Sequence, residues 1–165
     1  MNLHAKQQNQ SGTSNMSKAP VDLSAITRSA GLDPALQKHS LETFGPAYRD
    51  LLGYVPPRIQ ARFGTTGVLD PKLVKLQETM RSHAMDTPHL DPKMVQIILF
   101  GMLLMDGNDA AETHCLAARR CGASWEELQA TISLCFLFRG LPAANRGADL
   151  LVRVAAREES VVDPT

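Results

Sequence analysis

The stretch Gly107-Asn-Asp-Ala-Ala-Glu-Thr-His-Cys-Leu-Ala-Ala-Arg-Arg-Cys-Gly-Ala-Ser-Trp-Glu-Glu-Leu128, continued by an apolar run into Arg139-Gly-Leu-Pro-Ala-Ala-Asn145, decides the fold. It reads as a helical hairpin carrying one histidine on an otherwise apolar inner face. Over 109–121 the positions Ala110, His114, Ala117, Ala118 and Cys121 follow the i, i+4, i+7, i+8, i+11 series of one helical face. Alanines around His114 leave room beside the imidazole for another helix or for a ligand.

Working outward, the chain marks its helix starts with one device used three times: Leu32-Asp-Pro34, Leu69-Asp-Pro71 and Leu90-Asp-Pro92. An Asp N-cap accepts from the orphan N–H groups of the first turn, and proline fits the first helical position because its missing N–H costs nothing there. Two capping boxes follow, Asp109-Ala-Ala-Glu112 and Ser124-Trp-Glu-Glu127. Helices are expected at 34–52, 56–64, 71–84, 92–105, 109–121, 124–138 and 142–157. Gly107, Gly122 and Gly140 stand at breaks where a left-handed residue is wanted. Alternation of period two never persists, so the class is all-α.

The helix at 92–105 is apolar nearly all round, and so is the second half of 124–138, with Ile132, Leu134, Cys135, Phe136, Leu137 and Phe138. Such helices are covered on every side. One small protomer has too little surface to cover two of them, which predicts self-association.

Composition narrows the function. Hydrophobic residues make up 44% of the 165 residues, enough for a core, while aromatics are only 5%. Lys plus Arg equals Asp plus Glu at 17 each, so the basic surplus of a nucleic-acid binder is missing. Cys115, Cys121 and Cys135 fall inside expected helices, which reads as reduced thiols in a cytoplasmic protein. The most apolar stretch, Met94–Met105, is shorter than the roughly 20 residues that span a bilayer, so no membrane partner is expected. Residues 1–20 are rich in Gln, Asn and Ser and read as a disordered tail ahead of a single domain at 21–165.

His114 has two readings from its residues alone. It is a core histidine bonded to a backbone carbonyl, or it is a general acid or base, since imidazole titrates near neutrality. No metal-ligand spacing and no phosphate-cradling glycine loop accompanies it.

The segment His114, Ala117, Ala118, Gly122, Ala123, Ser124, then Glu126 and Glu127, then Gly140-Leu-Pro-Ala-Ala-Asn145 resembles the carboxymuconolactone decarboxylase family. The resemblance runs from about Leu90 to Val154. It implies an alkylhydroperoxidase D-like helical fold with a central hairpin, assembled as a trimer or hexamer. The redox-active branch of that fold places cysteines seven and four residues before the histidine, where this chain has Gly107 and Ala110. Cys115 and Cys121 point to opposite sides of their helix and do not replace the pair. The branch's glutamate corresponds to Gln96, which orients a water or a carboxylate but carries no proton.

What remains is the decarboxylase-like branch, a lyase acting on a small carboxylated lactone or ring acid without cofactor or metal. Loss of CO₂ from such a ring sends the electron pair into the conjugated lactone, so the protein needs only to anchor carboxylates, polarise a carbonyl and protonate carbon. The resemblance implies His114 and Gln96 as the catalytic pair. Val95 and Leu116 occupy positions where the family pattern has arginine, so carboxylate anchors are sought elsewhere: Arg81, His83, Asn145 and Arg139, with Arg146 beside them. Arg81 and His83 also suit a helix C-terminus as caps, and Arg139 and Arg146 also suit surface or intersubunit pairs. The alternative function is a non-catalytic oligomeric member that binds a metabolite or serves a structural role.

Overall fold

The computed structural model describes residues 22–162; the expected tail at 1–20 lies outside the described residues. Among these, eight helices and no strand are present: α1 (Ala25–Ser29), α2 (Pro34–Leu52), α3 (Pro57–Leu69), α4 (Pro71–Met85), α5 (Pro92–Asp106), α6 (Ala110–Arg120), α7 (Trp125–Arg139) and α8 (Leu141–Val162).

The Asp-Pro starts work as their chemistry dictates. Asp33, Asp70 and Asp91 accept from the backbone N–H of Ala35 at 2.9 Å, Leu73 at 3.0 Å and Met94 at 2.8 Å. Ser124 and Glu127 close a full capping box on α7, at 3.1 Å and 2.8 Å. Gly107, Gly122 and Gly140 have φ of 70°, 90° and 67°, a region that penalises any side chain.

Three expectations need correction. The box at Asp109–Glu112 does not form, because Asp109 already has helical dihedrals (φ −66°, ψ −20°), whereas an N-cap is extended. Asn108 accepts from the Ala110 N–H instead, at 2.9 Å, and the Asp109 carboxylate pairs with Arg58 and Arg146. The helix expected at 56–64 continues to Leu69 through Gly64 and Gly67. Those glycines are contact points rather than breaks: a Cβ on Gly67 would overlap the Ser40 side chain of α2, and one on Gly64 would press the Leu23 carbonyl at 3.3 Å. The last helix runs on to Val162, past the expected 157, and α1 was not foreseen. The expected shortage of cover within one protomer is seen on α5 and α7, where Met94, Ile98 and Met102 of α5 and Leu134, Leu137 and Phe138 of α7 are exposed.

The helices form two apolar clusters that meet at α6. One gathers Phe100 and Leu104 of α5, Ala111, Cys115, Leu116 and Ala118 of α6, Leu128 and Ile132 of α7, and Leu150 and Val154 of α8. The other gathers Tyr48 and Leu52 of α2, Val55, Phe63 of α3, Val74 of α4 and Ala117 of α6. Ala117 and its neighbour Ala118 thus face different clusters. The small residues of α6 are explained by this position, since a helix packed on both sides must be thin. Here too the expected single stripe is too narrow: Ala111, Cys115 and Leu116 are buried along with Ala117 and Ala118.

Candidate active site

The α5–α6 hairpin delivers the first pair. Gln96 lies one position after the buried Val95 and four before the buried Phe100, so its side chain is drawn inward and is only 3% exposed. Its Oε1 sits 2.8 Å from Nδ1 of the half-buried His114. An amide oxygen only accepts, so this contact places the proton on Nδ1 and leaves the Nε2 lone pair available as a base. The partner is a side chain, not the backbone carbonyl of an ordinary core histidine. Burial, reinforced by the positive charge of Arg81, lowers the His114 pKa to about 4. The imidazole is therefore neutral at pH 7.

Arg81 belongs to a second group, assembled by three helices. On α4, Val74 and Glu78 are buried one turn apart, and Arg81 follows at i+3 on the same side. Glu78, 3% exposed, accepts from Arg81 Nε at 2.9 Å, from the Tyr48 hydroxyl of α2 at 3.0 Å and from Arg62 of α3. Arg81 also lies over the Tyr48 ring at 4.4 Å. Burial pushes the Glu78 carboxyl up, but the two guanidinium hydrogen bonds outweigh it and hold the group below its ordinary value. Burial also pushes the Tyr48 phenol up to about 12, so it stays protonated and donates. Two guanidiniums share one carboxylate, and the group carries a surplus positive charge.

One member of each group, Gln96 and Arg81, reaches a cleft of about 570 Å³ between the C-terminal parts of α2 and α4, the 86–91 connection and the start of α5. Arg81 and Gln96 line it, with Asp50 and Asp86 also on its wall and Leu51, Met85 and Leu90 as apolar lining. Its size suits one small ring compound.

The family model for carboxymuconolactone decarboxylases matches residues 71–153, half of the chain. The chain belongs to the carboxymuconolactone decarboxylase family. Neither a curated protein nor a solved structure matches it. The matched range holds Glu78, Arg81, Gln96 and His114, while Tyr48 and Arg62 are contributed by helices ahead of it.

Of the residues singled out by sequence, the structure brings together His114, Gln96 and Arg81. His83 is exposed in the last turn of α4 and Asn145 is exposed on α8. Arg139, also exposed, donates to the Met105 carbonyl at 2.7 Å and so ties the end of α7 to the end of α5. Arg146 pairs with Asp109 at 2.9 Å. At the positions where the family pattern has arginine, Val95 and Leu116 are buried, each 7% exposed. Cys115 lies in the core with its thiol pushed up to about 12 by burial, which makes it a poor nucleophile. Sequence reasoning missed Glu78, Tyr48 and Arg62. The available signal was a carboxylate one turn after Val74 on the inward face of an amphipathic helix.

Proposed function

We propose that this family member is a cofactor-free lyase of the decarboxylase type, built on the alkylhydroperoxidase D-like fold and acting on a small carboxylated lactone or ring acid. The observation that carries the reading is the Gln96–His114 hydrogen bond at 2.8 Å beside a cleft walled by Arg81. Arg81 spends Nε on Glu78 and sets Nη1 against the Met85 sulfur at 3.4 Å, and Nη2 makes no hydrogen bond among the described residues. Its free edge is the natural anchor for a substrate carboxylate, replacing the arginines absent at Val95 and Leu116.

In the reaction, the C–C bond to the departing carboxylate breaks and its electron pair enters the conjugated carbonyl. CO₂ leaves, and a proton returns to ring carbon. His114 supplies that proton after taking one from water at Nε2. A pKa near 4 in the free protein is low for an acid, but a substrate anion beside the imidazole favours its charged form and raises the value. Substrate binding thereby charges the catalyst it needs. The exposed apolar faces of α5 and α7 support a trimeric or hexameric assembly as part of this reading.

A second reading, metabolite binding without turnover, is favoured by the burial of Val95 and Leu116 among apolar neighbours, which leaves the cleft fewer cationic anchors than the family pattern. One experiment separates the two. Wild type and His114→Gln are titrated with carboxylated lactones and ring acids, following the thermal midpoint and the release of CO₂. The lyase reading expects a ligand that stabilises both proteins through Arg81 and is turned over by the wild type alone. Stabilisation without CO₂ release from either protein selects the binding role.

A further inference from the structure

The charges around the cleft are unequal, and this selects among ring acids. Among the described residues Arg81 is the only cation on the wall, and its Nε is already committed to Glu78. Gln96, almost wholly buried, lines the same wall, and its Nε2 donates to nothing among the described residues. These are two unspent donors, enough to hold the two oxygens of one carboxylate. Asp50 and Asp86 stand on the same wall, and neither side chain makes a hydrogen bond or ion pair among the described residues. Both lie at helix C-termini, Asp50 in the last turn of α2 and Asp86 at the end of α4, where the helix dipole is negative as well. A second carboxylate on the ligand would face two like charges and two dipoles of the wrong sign.

We infer that the ligand of this cleft is a ring monocarboxylate carrying a hydrogen-bond donor, such as a hydroxyl, away from its acid group, and not a diacid. The inference rests on the ring-acid reading above and deepens it. One carboxylate docks on Arg81 and Gln96, and the donor meets Asp50 or Asp86. Like-charge juxtaposition is the means by which such a site refuses the wrong partner.

The test uses two rigid probes of one shape, 4-hydroxybenzoate and terephthalate, titrated calorimetrically into the full-length protein. The wild type is expected to bind the hydroxy acid about tenfold more tightly or better, the size of one close like-charge contact partly screened by water. Replacing both wall acids (Asp50→Asn with Asp86→Asn) is expected to erase that ratio, mainly by strengthening terephthalate. Both positions are exposed, so the variant folds, and circular dichroism verifies it. Terephthalate binding as tightly as the hydroxy acid, or a ratio unmoved in the double variant, overturns the inference while leaving the ring-acid reading intact. If neither probe binds and the lactone panel is also silent, the ring-acid reading fails and the inference falls with it.

Discussion

At the scale of single residues, the neutral state of His114 has a thermodynamic consequence that is measurable without knowing the substrate. Its pKa is about 4 in the folded protein and near 6.5 when unfolded. Between these values the unfolded chain binds the extra proton, so stability is full above about pH 6.5 and declines as pH falls toward 4. From pH 7 to pH 5 the loss is expected to reach about 2 kcal/mol in urea unfolding. Glu78 does not confuse this window. Its carboxyl is held below an ordinary value of 4.5, so its own contribution fades only at lower pH. His114→Gln should flatten the curve over pH 5–7, and an equally steep decline in that variant would show that another group is responsible. The same scale explains what the sequence disclosed of the site. His114 and Gln96 were legible because helical spacing and motif register are local properties. The Glu78 group was not, because Tyr48, Arg62 and Glu78 sit on three helices and meet only after α2, α3 and α4 have packed. The anchors fared unevenly for the same reason: nothing in the local sequence separates Arg81, which lines the cleft, from Arg139, which caps a neighbouring helix.

At the scale of elements, boundaries were readable wherever a side chain caps its own backbone. Asp33, Asp70, Asp91 and Ser124 each act within three residues, so their starts needed no tertiary information. Boundaries failed where a residue's role depends on a partner helix. The helix expected to end at 64 runs on through Gly64 and Gly67, where α2 and the segment at Leu23 approach too closely for a Cβ. Gly147 is the same device in α8. A Cβ there would lie 2.6, 2.8 and 2.9 Å from three carbons of Ile132, a residue 2% exposed in the α7 core. Gly147→Ala gains about 1 kcal/mol of helix propensity. Against that stands overpacking of about 1–3 kcal/mol, because the branched Ile132 has a stiff χ1 and no free space to enter. The net expectation is a lower thermal midpoint. Pairing the change with Ile132→Ala should recover part of the loss relative to Ile132→Ala alone, the coupling expected of a steric contact. A Gly147→Ala protein as stable as the wild type would mean that α7 and α8 can move apart at no cost.

At the scale of the whole molecule, the described protomer leaves apolar surface in stripes rather than scattered points. On α7 and the start of α8, Leu134, Leu137, Phe138 and Leu141 are 63–78% exposed, and on the neighbouring α5 Met94, Ile98 and Met102 follow at i, i+4, i+8. A separate stripe on α4, Leu73, Leu76 and Met80, repeats at i, i+3, i+7. Single exposed apolar residues need no explanation, but contiguous helical faces mark association surfaces. Two such faces fit a closed assembly with one contact around a ring and a second between rings. Light scattering is therefore expected to give three or six times the protomer mass. The faces predict different failures. Leu137→Glu with Phe138→Glu, at positions exposed enough to leave the protomer intact, should release smaller species by burying charge in the first contact. Leu76→Glu with Met80→Glu should at most halve a hexamer and should leave a trimer unchanged. A wild type that is monomeric at micromolar concentration would remove the assembly and leave both stripes to a different partner. Retention of full size by the α7 variant would instead move the ring contact to α4.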